Sequence, residues 1–409
     1  MTDGMKAGGF LLALGLCLGS AGVSLGQGSA SGGELQWLDE PTTVQPMRQG
    51  RAGASQDAFT LDSDAPGLVS EKAAVGKLDG GMLIAIDAKS ADAEWPEVVR
   101  FDFSGEGNFE DAPALPLQVH SQSGGFSSQF EGQIEVTRDG QTRPVQVQGF
   151  YMVYNGGSYR HTSVSLTSAG EAVVDFAGEP RRVVVVDGDS NLELGDGPEL
   201  HIRDDGSLCH LGRGDTVLVY PGPDAAGQPS AKAFWGQPVQ VGEQWYRLSL
   251  ADGRLAAEPA DVEVGRVAVH YPRWQVTLVG REHIVHLDGT SVAEEAVPAD
   301  DYVVLEYRRH AKQGGHLQAM MYSSDAGDRR YVVEPGGRTE VAFGSPITGK
   351  VVVEKQQNGR QLAFDFQYRD VNGAKIGHIQ LADGQPDAPT LKVLDGDGNE
   401  VYTGKFEYG

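Results

Sequence analysis

The chain has 409 residues, a formal net charge of −24, 56 glycines and two cysteines. Such acidity excludes a nucleic-acid binder, which needs a basic face to displace counterions from phosphate. Two cysteines exclude a disulfide scaffold, and a hydrophobic content of 40% supplies enough apolar residue for two or three packed domains.

Residues 1–26 read as a secretory signal peptide. Lys6 gives a positive start, residues 10–18 form an apolar run broken by one glycine, and Ser20, Ala21 and Gly22 offer a cleavage site. A start at Met5 makes the signal cleaner by removing Asp3. The run is too short to span a bilayer, and no later segment holds the roughly 20 apolar residues that a transmembrane helix needs. Leu16 stands where a lipid-modified Cys17 needs a small neighbour, so lipidation is the lesser reading. The expected destination is therefore the periplasm or the extracellular space. Loss of the signal leaves Cys209 as the one mature cysteine, and the absence of Asn-x-Ser/Thr acceptors suits a bacterial source.

Residues 27–65 are rich in Gly, Ser, Gln and Asp and read as a flexible linker, with Trp37 and Leu38 as local docking points. From there the expected class is all-β, as tandem β-sandwich or β-sheet domains. Residues 66–222 form the first β-rich domain, with strands at 98–103, 143–154, 158–166, 172–176 and 182–187. Asn155-Gly156 suits a tight hairpin, because both residues tolerate positive φ. The one helical signal is a short turn at 70–75, capped by Ser70.

Three prolines within residues 221–230 mark a linker at 223–233. A small β domain follows over 234–296, with strands at 245–250 and 274–279. Residues 297–409 carry about eight strand signals, with Asn358-Gly359 and Asn372-Gly373 as hairpin turns. Leu362, Phe364 and Phe366 alternate with Ala363, Asp365 and Gln367, so one face is buried and the other wet. That spacing suggests an immunoglobulin-like sandwich, an architecture that does not by itself fix function.

One pattern occurs twice. A strand ending in Asp102 and a strand ending before Asp187 each run into an acidic segment. Asp102, Ser104, Glu106, Phe109, Asp111, Pro113 and Leu115 match Asp187, Asp189, Asn191, Leu194, Asp196, Pro198 and Leu200 at a constant offset of 85 residues. Oxygen-bearing side chains two residues apart can converge on one hard cation, and calcium takes six to eight oxygens. Asp102, Ser104, Glu106 and Asp111 form one candidate ligand set, and Asp187, Asp189, Asn191 and Asp196 the other. Both depart from an EF-hand loop: Leu192 replaces the turn glycine, and Pro113 and Pro198 stand where the bidentate glutamate belongs. The alternative is an acidic turn whose Asp and Asn side chains bind backbone N–H groups. Asp395, Asp397 and Asn399 repeat the opening of the motif and suit a hairpin turn.

Catalytic signals are sparse. Cys209 and His210 are neighbours, and strand neighbours point to opposite faces. His283 and His286 lack the spacing and the intervening glutamate of a zincin. Nothing selects a glycosidase pair from 57 acids. Trp235, Trp245, Tyr246 and Trp274 suit either a core or a sugar-stacking platform. Arg213-Gly214-Asp215 is a common tripeptide to which no role is assigned.

Residues 101–109, 186–191 and 404–409 resemble those of uncharacterised exported β-rich proteins of planctomycete-type bacteria. The stretch from Val297 to Tyr302 resembles the Pro-Ala-Gly-x-Tyr turn of carboxypeptidase-regulatory-like modules, with Asp300 in place of the glycine. These resemblances imply export and a sandwich fold, and no activity. The expected function is a non-catalytic envelope or periplasmic β-protein that binds an envelope protein or glycan, with calcium in its acidic loops. The alternatives are a glycan-active hydrolase and a passive spacer.

Overall fold

A computed structural model describes residues 32–40, 52–55, 59–60, 64–70, 73–78, 81–91, 93, 96–122, 125–138, 140–154, 159–202, 208–211, 214–271, 273–289, 293–313, 316–323, 328–355, 362–381 and 386–406. The signal peptide, Asn155-Gly156 and Asn358-Gly359 lie outside them, as do the side chains of Cys209 and His210. Among the described residues the chain is all-β, and no helix is long and apolar enough to cross a membrane. Of the turn expected at 70–75, residues 71 and 72 lie outside the described residues; the Ala73 N–H donates to the Ser70 carbonyl at 3.0 Å, and the strand Ala74–Lys77 follows.

Three sandwiches follow one another, each packed around its own apolar cluster. In the first, one sheet runs Phe59–Thr60, Ala74–Lys77, Leu83–Asp87, Val98–Asp102 and Ala114–Pro116. The facing sheet runs Ala52–Ser55, Tyr159–Thr167, Gln141–Tyr154, Gly125–Arg138 and Gln118–Gln122. Ile84, Val99 and Phe101 from the first sheet meet Phe130, Val147 and Leu166 from the second. The long strand Gly125–Arg138 shows why: Phe126, Ser128, Phe130, Gly132, Ile134 and Val136 share the inner face, while Ser127, Gln129, Glu131, Gln133 and Glu135 share the outer one.

The second sandwich stacks a five-stranded sheet on a four-stranded one. Its first sheet runs Ala231–Phe234, Thr216–Val219, Glu179–Val186, Ala169–Phe176 and Gln36–Trp37. Gly33–Glu34, Arg254–Pro259, Gln244–Ala251 and Val239–Val241 make the second. The run Val183-Val184-Val185-Val186 is apolar throughout because both faces are covered. Val183 and Val185 enter the inter-sheet core, and Val184 and Val186 pack on Ala169, Leu218 and Tyr220. Trp235 and Tyr246 belong to that core and Trp274 to the next, so they form no exposed sugar platform.

The third sandwich sets Ala293–Pro298, Val264–Val269 and Arg338–Glu340 against a six-stranded sheet centred on Arg273–Val279 and Asp300–Gln313. Trp274, Val276, Tyr302, Tyr307 and Phe343 fill the space between them. The Tyr302 hydroxyl donates to the Pro298 carbonyl at 2.8 Å. Asp300, in place of the glycine of the resembled turn, accepts the backbone N–H groups of Arg281, Glu282 and His283 at 3.0 Å each.

Several expected boundaries differ from the strand pairing. The linker expected over 27–65 contributes paired strands: Gly33–Glu34 binds Arg254–Pro259, and Gln36–Trp37 binds Ala169–Phe176. Arg143 stacks 4.6 Å over the Trp37 ring, which anchors the segment despite its Gly- and Ser-rich flank. The linker expected at 223–233 overlaps a hairpin, because Thr216–Val219 pairs with Ala231–Phe234 and one core spans both sides. The strand Asp300–Gln313 pairs with Arg273–Val279, so hydrogen bonds cross the expected break at 296. Pro and Gly mark chain reversals, and a reversal within a sheet carries the same composition as a linker.

Candidate metal centre

The two acidic loops share one backbone design. Gly105 and Gly107 have φ of 73° and 83°, and the matching Ser190 and Leu192 have φ of 67° and 65°. In each loop the leading Asp receives N–H bonds from the residues three and five positions ahead. Asp102 accepts from Gly105 at 3.2 Å and Gly107 at 2.7 Å. Asp187 accepts from Ser190 at 2.7 Å and Leu192 at 2.9 Å. Left-handed backbone at alternate positions turns these N–H groups inward, and a carboxylate at the strand end receives them. The entering strand and the turn are thus the repeated unit. The exits differ: Ala114–Pro116 pairs with Val98–Asp102, whereas Leu200–Ile202 pairs with Leu208–Leu211.

The first loop is a turn and gathers no carboxylates. Asp102 also accepts the Ser104 hydroxyl at 2.6 Å and the Ser104 N–H at 2.9 Å. Burial opposes its ionisation, but the Ser104 hydroxyl and the N–H groups of Gly107, Ser104 and Gly105 outweigh it and hold Asp102 below its ordinary value. Ser104 stays beside Asp102 through that hydroxyl, but Glu106 and Asp111 are exposed, and among the described residues no group of carboxylates forms around Asp102.

The second loop is different. Asp187, Asp189 and Asp215 each offer an oxygen, and these oxygens lie within 4.8 Å of one another. Cation–oxygen distances of about 2.3–2.6 Å allow ligand oxygens on opposite sides of calcium to be just so far apart. Asp187 is 1% exposed and Asp215 is fully buried, while Asp189 is half-buried. Asp215 accepts the N–H groups of Gly188 at 3.1 Å, Gly195 at 2.6 Å and Asp196 at 3.1 Å. Asn191 joins the set by donating its amide to Asp189 at 3.0 Å and to Asp196 at 2.8 Å.

These surroundings make three nearby negative charges costly. Burial, then the charges of Asp215 and Asp189, push Asp187 well above the ordinary carboxylate range, against the N–H groups of Leu192 and Ser190. Burial likewise raises Asp189. Asp215 is pushed up to about 7 by burial, in spite of its three N–H donors. A cluster of this kind lowers its energy by holding protons or by holding a cation. The hard oxygen donor set fits calcium.

Asp215 is the residue that sequence reasoning missed. It lies 28 positions beyond Asp187 and outside the repeat. Strand pairing brings it in: Val186 is opposite Thr216, so the residues just past each end, Asp187 and Asp215, become neighbours. An aspartate just before the buried strand Thr216–Val219 was the available signal. Gly214 permits the approach, since a Cβ there would meet the Pro198 backbone N at 2.3 Å.

Other candidates resolve into turns. Asp395 accepts the N–H groups of Asp397 at 2.9 Å and Asn399 at 2.8 Å in an exposed hairpin. His283 binds Asp300 at 3.2 Å and His286 binds Thr277 at 3.0 Å, so the two histidines engage different partners. No protein-family model matches this sequence, and no curated protein is similar to it.

Proposed function

We propose that this chain is a non-catalytic exported β-sandwich protein of the bacterial envelope. In this reading, calcium bound by Asp187, Asp189 and Asp215 locks the junction between its first two sandwiches. The observation that carries the reading is where the loop sits. It leaves the second sandwich, yet Leu192 packs into the core of the first. The Ser190 hydroxyl donates to the Leu166 carbonyl at 3.1 Å and accepts the Leu166 N–H at 3.1 Å. A cation there fixes the loop that joins two bodies. Asp187 and Asp215 are buried, a poor position for carboxylates that must meet a polymer substrate, which argues against placing hydrolase chemistry in this cluster.

Calcium titration calorimetry on chelator-stripped protein, in two buffers of different ionisation heat, tests this. One site is expected, with the millimolar-to-submillimolar affinity of extracellular modules, on the order of 10⁻⁴–10⁻³ M. Proton release should accompany binding near neutral pH, because the Asp215 carboxyl must ionise. Absence of heat at millimolar calcium would refute the cation.

A further inference from the structure

We propose that the outer face of the first sandwich carries a binding groove for a neutral polysaccharide. This rests on the reading of the chain as a non-catalytic binding protein and names its partner class; it does not depend on the cation. The groove encloses about 210 Å³ and crosses four adjacent strands. Register builds it in two rows. Gln118 is opposite Gln129, which is opposite Phe150, which is opposite Ser163. In the second row Glu131 is opposite Gln148, which is opposite Ser165. Strand residues in such rows share a face, so amide and hydroxyl groups converge there.

Two serines supply hydroxyls to the groove. Ser163 is 8% exposed and Ser165 is 5% exposed, and both line the groove. Among the described residues neither hydroxyl has a hydrogen-bond partner, although the neighbouring Thr162 hydroxyl donates to the Phe150 carbonyl. Neither serine oxygen is among the buried polar atoms left unpaired, so both hydroxyls open onto the groove, where they can donate to and accept from polar groups. Walls of glutamine both donate and accept, as do sugar hydroxyls. The half-buried Phe150 ring, 5.6 Å from His161, adds an apolar plane of the kind that stacks on a sugar face.

Charge narrows the class. Among the described residues the lining has one carboxylate, Glu131, and no Lys or Arg, within a chain of net charge −24. A polyanion would be repelled. An extended peptide adds along a sheet edge, whereas this groove runs across the strands on the face of the sheet. A single exposed acid is not the carboxylate pair that glycoside cleavage requires, so the groove is suited to holding a chain intact.

The test is calorimetric titration of the full chain with cellohexaose, laminarihexaose, xylohexaose and chitohexaose, with polygalacturonate as the charged control. At least one neutral oligosaccharide should bind, with an affinity that added salt leaves unchanged. Phe150→Ala and Ser165→Val should each weaken that binding by roughly tenfold or more. Gln148→Ala, at an exposed position, supplies the same comparison if either variant fails to fold. No binding by all four sugars would overturn the proposal, as would binding of polygalacturonate alone or binding that all three substitutions leave intact. Release of reducing sugar from a bound probe would instead overturn the non-catalytic reading while the groove stands.

Discussion

At the scale of single residues, two buried aspartates, Asp102 and Asp215, have opposite energetics. Asp102 sits among four donors with no other carboxylate in its hydrogen-bonding shell, and its pKa lies below the ordinary value. Its ionised form therefore stabilises the fold above about pH 4, and that stability is lost as pH falls through its depressed folded value. Asp102→Ala should cost roughly 2–4 kcal/mol by denaturant unfolding, since the donors around it lose a charged acceptor. Asp215 works the other way. Its pKa is raised to about 7, so between about pH 4 and pH 7 the folded state holds a proton that the unfolded state has lost. In chelator, melting temperature should fall as pH rises through that window, and saturating calcium should flatten the fall. A melting temperature that rises from pH 5 to pH 7 in chelator would contradict the assignment.

Elements explain what could be read from residue order and what could not. Strands at 98–102, 143–154, 172–176 and 274–279 were legible because β-branched and aromatic residues dominate them. The 14-residue strand Gly125–Arg138 was not, because its outer positions are Ser, Gln and Glu and its inner face includes Ser128 and Gly132. Those same polar positions build the groove. The repeat was legible from alternate oxygen-bearing residues, yet it could not tell a turn from a cluster. That difference comes from Asp215, which only strand pairing delivers. The second loop also holds Ser190 and Leu192 at positive φ, a conformation costing roughly 1–2 kcal/mol per non-glycine residue. Buried packing of Leu192 offsets that cost. Leu192→Ala should therefore destabilise by roughly 2–4 kcal/mol, and the loss should be seen in the unfolding of the first sandwich, whose core it enters.

For the molecule as a whole, acidity is organised rather than diffuse. Residues 102–111 and 187–199 hold nine acids and no bases, and the two stretches are the turns that end a strand in each of the first two sandwiches. The second turn is shared between the two bodies through Ser190 and Leu192. Calcium should accordingly make the first two sandwiches unfold together, while chelator should separate their transitions by scanning calorimetry. Asp189→Asn removes one charge from the half-buried side of the cluster and leaves Asp187 and Asp215 in place. The decisive measurement compares melting temperatures of the wild type and this variant near pH 7.5, in chelator and in millimolar calcium. Calcium should raise the wild type by several degrees, in keeping with about 1–3 kcal/mol from binding linkage. The variant should match or exceed the wild type in chelator and gain nothing from calcium. Equal responses of the two proteins to calcium, or no response in either, would contradict a cation at Asp187, Asp189 and Asp215.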